Sequence, residues 1–134
     1  MGGDTWENPS VIDVAGSDAE GIFISTFFDE SNPATEEARS FIEGYREELG
    51  GKETNIPAVA ALGYDAYLLI RDAIERAGST NGDAIKDALN STKDFEGVTG
   101  IINFTEEGDA DKNIAVIKTV ENGKFKYIDT VEIK

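Results

Sequence analysis

The sequence predicts an α/β chain, and three observations carry that prediction. Two long segments, 33–50 and 57–78, repeat apolar residues at the spacing of an amphipathic helix. Residues 20–28 form a nearly continuous apolar run, as expected of a strand covered on both faces in a parallel or mixed sheet. Beyond Asp94 the apolar period changes from helical to alternating, which is strand patterning. The order is αβααα followed by βββ. Three amphipathic helices need a sheet to cover, yet the only well-specified sheet is the C-terminal meander. The residues leave two architectures open: a compact α+β unit, or part of a larger α/β protein whose missing strands come from another copy of the chain.

Gly2-Gly3-Asp4-Thr5-Trp6-Glu7-Asn8-Pro9 reads as the end of a buried strand turning directly into a capped helix over 8–15 that stops at Gly16. The run at 20–28 follows. Asn32-Pro33 is a second cap-plus-proline start, with Glu36 and Glu37 in the first turn where the helix dipole favours anions. Ala38, Phe41, Ile42, Tyr45 and Leu49 mark one face of that helix, which ends at Gly50-Gly51. The longer helix begins near Pro57 and ends at Gly78, with Val59, Leu62, Ala66, Leu69, Ala73, Ile74 and Ala77 at helical spacing and Arg76 in the last turn. Asn81 can cap a third helix carrying Ile85, Ala88 and Leu89. Segments 100–104, 113–120 and 124–133 read as strands. Asn122-Gly123 joins the last two and predicts a hairpin with Glu121 opposite Lys124 and Val120 opposite Phe125.

Composition narrows the function. The 12 Lys and Arg against 27 Asp and Glu give 12 − 27 = −15, which opposes binding to nucleic acid or an anionic membrane. Cysteine and histidine are both absent, which removes thiolate nucleophiles, imidazole acid–base chemistry and thiolate zinc sites together. No nucleophile–base arrangement stands out, so an enzyme is not expected. No apolar run reaches the roughly 20 residues of a membrane span, and Met1 leads into a polar turn rather than a signal peptide.

The N-terminal turn is the candidate site. Two glycines let the backbone approach a ligand closely, Asp4 presents a carboxylate and Trp6 an aromatic plate. Such a pair at the carboxyl end of a strand is where open α/β sheets bind small molecules, and an α-ammonium suits it. The plain alternative is an ordinary turn acid beside a packing tryptophan. Tyr64 reads as a core tyrosine, and the acidic stretch 106–111 as a strand connection rather than a calcium loop, because it lacks the spaced glycine and the terminal glutamate.

Several stretches together resemble the branched-chain amino-acid-binding proteins of ABC transporters, a family of type I periplasmic binding proteins. They are Gly-Gly-Asp-Thr-Trp-Glu-Asn-Pro at 2–9, Ala-Glu-Gly-Ile-Phe at 19–23, Ala-Ala-Leu-Gly-Tyr-Asp-Ala at 60–66, Ala-Ile-Glu-Arg-Ala-Gly-Ser-Thr at 73–80 and Thr-Lys-Asp-Phe-Glu-Gly-Val-Thr-Gly at 92–100. The match runs through essentially all of this chain, in order, and covers about the C-terminal third of a complete family member. The resemblance implies a fragment of a two-lobed α/β fold, with residues 2–27 from the C-terminal lobe, helices within 33–91 from the N-terminal lobe, and strands within 99–133 near the hinge. It implies that Asp4 pairs with the ligand ammonium, with Thr5 and Trp6 beside it. Ala58 and Val59 would line the cleft, Val59 standing where many relatives place an aromatic. The family's ligand is an amino acid, its partner an ABC transporter permease, its location periplasmic or extracellular at a membrane, and it uses no cofactor. The loops that bind the ligand carboxylate belong to the family's N-terminal portion, outside this match. A second expectation follows from the incomplete sheet: a self-associating module, completed as a homo-oligomer or by domain swapping.

Overall fold

The computed structural model describes residues 1–51 and 55–132. Helix α1 spans Pro9–Ala15, α2 Glu36–Glu48, α3 Ala58–Ala77 and α4 Gly82–Asn90; the strands are β1 Phe23–Thr26, β2 Phe95–Gly97, β3 Gly100–Phe104, β4 Ala110–Lys112, β5 Ile114–Glu121 and β6 Lys124–Glu132. They form two antiparallel three-stranded sheets, β1–β5–β6 and β2–β3–β4.

Local chemistry sets most boundaries. Asn8 caps α1 by accepting from the Ser10 amide, with Pro9 at the first helical position. Asn81 caps α4 by accepting from the Asp83 and Ala84 amides. Gly78 ends α3 in the left-handed conformation, φ 57°, that glycine reaches without a Cβ clash. Asn122 and Gly123 both have positive φ, and the hairpin they form pairs Glu121 with Lys124 and Val120 with Phe125, as the Asn-Gly signal predicts. The acidic stretch connects β3 to β4, with the Thr105 amide donating to the Asp109 carbonyl at 2.9 Å.

Three expectations are corrected. Helix α2 starts at Glu36 rather than at Pro33, because Thr35 is its cap, accepting from the Ala38 amide, while the Asn32 side chain donates to Tyr127 Oη and Thr130 Oγ1. Strand β1 is shorter than the apolar run and buried on one face only: Ile24 and Thr26 point inward, and Phe23 is 47% exposed. The buried stripe of α3 runs through Ala58, Ala61, Asp65, Leu68, Leu69 and Ala73, leaving Val59 and Ala66 outside, because a buried carboxylate holds a place that apolar periodicity assigns to its neighbours. Strands β2 and β4 are three residues each and escaped the alternation signal. Ile133, the expected end of the last strand, lies outside the described residues.

The main core joins Phe28, Ala38, Phe41, Ile56, Ala58, Ala61 and Val98, with Tyr45 and Tyr64 packed against it. Phe41 meets Phe28 edge to face at 5.9 Å and lies 5.1 Å from Tyr64. The chain's N-terminus reaches the other sheet. Gly2 runs parallel beside β1, donating to the Phe23 carbonyl at 2.8 Å and accepting from the Ser25 amide at 3.1 Å. That is the position of a strand leading into the turn.

Candidate ligand-binding turn

From Gly2 the backbone folds into one turn of 3₁₀ helix, Asp4–Trp6. The Trp6 amide donates to the Gly3 carbonyl at 3.0 Å and the Glu7 amide to the Asp4 carbonyl at 2.9 Å. The Trp6 ring lies against Gly2 so closely that a Cβ there would stand 2.6 Å from its atoms, which is why this position needs glycine. Asp4 Oδ1 accepts from the Thr5 amide at 2.9 Å, and among the described residues no Lys or Arg pairs with Asp4. Trp6 is 49% exposed. Thr5 and Trp6 form one wall of an open groove of about 520 Å³, whose remaining lining comes from Asn8, Ser10, Val11, Val14 and Ala15. Asp4 itself does not line the groove; among the described residues the turn offers a carboxylate without a cationic partner and, on the groove wall, a half-exposed indole.

Ala58 and Val59 stand elsewhere. Ala58 is a core residue, 3% exposed, and Val59 is 66% exposed on the first turn of α3. Neither lines the groove beside Trp6. A larger open groove of about 670 Å³ separates α1 from α2 and the β5–β6 hairpin tip, with the Glu30–Arg46 ion pair on its wall; none of the five predicted residues lines it.

Sequence reasoning missed what lies beneath the turn. Lys118, 1% exposed, reaches Glu7 Oε1 at 2.5 Å and Asp29 Oδ2 at 2.9 Å. The Thr26 hydroxyl donates to Glu7 Oε2 at 2.7 Å. Asp29 Oδ1 takes the Ser31 amide at 2.9 Å and the Ser31 hydroxyl. Burial is the largest influence on Asp29 and pushes its pKa up, but the Ser31 hydroxyl, Lys118 and the Ser31 amide together outweigh it and hold the carboxyl below its ordinary 3.8. A signal was available: Lys118 occupies the inward phase of β5 with Ile114, Val116 and Val120. A lysine in that register is rare unless paired.

A second buried acid, Asp65, accepts from the Val98 amide at 2.5 Å, the Thr99 amide at 3.0 Å and the Thr99 hydroxyl at 2.5 Å. It satisfies the tight connection between β2 and β3. Lys112 donates to the Thr99 hydroxyl and lies 5.0 Å above the Phe27 ring; burial lowers its pKa, opposed by the charge of Asp65. Among the described residues no cluster of acids could hold a metal ion, and no helix is long and apolar enough to cross a membrane.

The described residues thus form a two-sheet α/β unit with an acidic, aromatic turn at a strand end. Residues 1–124 match the periplasmic binding protein family, and the chain belongs to that family. Solved structures agree. A leucine-binding protein from Thermotoga maritima is 36% identical with a TM-score of 0.87; the match covers 97% of this chain and 36% of that one. An ABC transporter substrate-binding protein from Desulfitobacterium hafniense is 30% identical, TM-score 0.77, over 94% of this chain and 34% of its own. A Desulfitobacterium hafniense substrate-binding protein in complex with Leu is 28% identical, TM-score 0.77, with the same coverage of 94% and 34%. No curated protein sequence matches the chain. The chain therefore spans about a third of the length of the solved relatives it matches.

Proposed function

We propose that this chain is part of the solute-binding component of an ABC importer for branched-chain or related amino acids, and that Asp4 is its ammonium-binding acid, with Thr5 and Trp6 beside it and the exposed Val59, next to buried Ala58, facing the cleft. The observation that carries the reading is the turn itself: among the described residues its carboxylate has no cationic partner, a half-exposed indole stands two residues on, and its amino-side leg is tied to β1 through Gly2. The leucine recognised by the solved relatives supports the ligand class. On this reading the complete receptor is periplasmic or extracellular at a membrane and delivers to a transporter permease, and this unit contributes residues 2–27 to one lobe, helices within 33–91 to the other and strands near the hinge. An amino acid has two charged ends, and tight binding requires both to be satisfied once desolvated. The resemblance assigns the carboxylate end to loops this match does not include. Binding by the chain itself is therefore no tighter than about 1 mM.

Isothermal titration with L-leucine tests this directly. Micromolar binding by the chain would overturn the divided site. Fluorescence of Trp6, the sole tryptophan, should respond to millimolar leucine and lose the response in Asp4→Asn.

A second reading, self-association, has its own observation. Phe23 and Val131 are exposed on the outward face of the β1–β5–β6 sheet, at 47% and 45%, and Val59, Tyr67 and Ile70 are exposed on α3. Light scattering after gel filtration decides it: a dimer or larger species supports a homo-oligomer, and a strictly monomeric, cooperatively folding chain rules it out.

A further inference from the structure

Lys118 sits in the core phase of β5, two residues from buried Val116 on one side and from buried Val120 on the other. Desolvating an ammonium is unfavourable, and apolar residues of similar volume commonly serve stability as well or better. What the cation adds is direction. Its Nζ takes Glu7 Oε1 at 2.5 Å, and Glu7 is the residue whose backbone amide closes the Asp4–Trp6 turn on the Asp4 carbonyl. The other carboxylate oxygen of Glu7 is held by the buried Thr26 hydroxyl at 2.7 Å, so the side chain has one orientation. The amino-side leg of the turn is fixed separately, by Gly2 on β1. Opposite Lys118 the β5–β6 register shifts, the extra residue being Ile128 on β6, while β5 itself alternates without a break and keeps Lys118 facing inward.

We propose that Lys118 is a positioning residue for the candidate ligand turn, setting through Glu7 where the Asp4 carboxylate and the Trp6 ring stand. It contacts neither directly. The consequence for ligand rests on the amino-acid-binding reading, but the positioning does not. The second arm of the cluster has a different duty. Asp29 belongs to the loop after β1, carries its own donors from Ser31, and offsets the charge of Lys118 without touching the turn.

The two arms can be separated. Glu7→Gln keeps the size and an acceptor for Lys118 but removes the charge; Asp29→Asn does the same on the other arm. The readouts are Trp6 fluorescence anisotropy and hydrogen exchange of the Trp6, Glu7 and Asn8 amides, both without ligand. Glu7→Gln should lower the anisotropy and raise turn-amide exchange at least about tenfold relative to the Val116 amide, whereas Asp29→Asn should leave that ratio within about twofold. Equal loosening by both variants, or by neither, overturns the proposal. Should Glu7→Gln fail to fold, the unsubstituted chain still decides. Its turn amides should be protected to within about a hundredfold of Val116, and exchange faster than that means nothing pins the turn. A failed ligand reading has a separate signature: no leucine response in the unsubstituted chain, while the turn still loosens in Glu7→Gln.

Discussion

The two sheets solve the same problem by different means. The β2–β3–β4 sheet is contiguous in sequence, from Phe95 to Lys112, and its buried acid Asp65 is satisfied by backbone amides and one hydroxyl. The β1–β5–β6 sheet is assembled from the two ends of the described chain, and its buried acids Glu7 and Asp29 share, beside hydroxyl and amide donors from Thr26 and Ser31, a cation 111 residues away from Glu7. Local turns can specify the first sheet. The second must recognise its partner strand at long range, and a buried charge pair with a single satisfactory register is one way to do so. It is also the sheet that carries the candidate ligand turn.

Urea denaturation of a ranked series sharpens the contrast. Lys118→Met leaves two buried carboxylates without their cation and should cost about 3–5 kcal/mol. Asp65→Ala removes the acceptor of two buried amides and should cost about 2–4 kcal/mol. Lys112→Met, at the half-buried lysine of the other sheet, loses one hydroxyl contact and a position above Phe27, about 1 kcal/mol. If the two lysine substitutions cost the same, the long-range pair has no special part in assembling its sheet.

Acid provides a smaller, one-sheet perturbation. The folded-state pKa of Asp29 lies below its unfolded 3.8, so its contribution to stability is fully present above that value and is lost as pH falls through the lower folded one. The urea midpoint should therefore drop below about pH 4, and drop less steeply in Asp29→Asn. An identical pH profile for the two proteins contradicts the assignment.

What was legible in the sequence follows the same division. Caps at Asn8 and Asn81, the left-handed Gly78 and the Asn122-Gly123 hairpin act within a few residues, and each stands where the pattern placed it. The turn at Gly2–Trp6 was legible for the same reason. The burial face of α3 was not, because Asp65 is buried by contacts with Val98 and Thr99, 33 and 34 residues further along the chain. Asn32 looked like a helix cap but bonds to β6 instead, which proximity in sequence gives no hint of. Nor could pattern alone join Glu7 to Lys118, although the lysine's register marked it as unusual.

The proposed role of Asp4, close in sequence to Trp6, is to receive an α-ammonium. The most direct measurement is an amide chemical-shift titration comparing L-leucine with N-acetyl-L-leucine, which lacks that charge. Shifts centred on Asp4, Thr5 and Trp6 with L-leucine alone are the predicted result. Equal shifts with both compounds, or none near the turn with either, would contradict it.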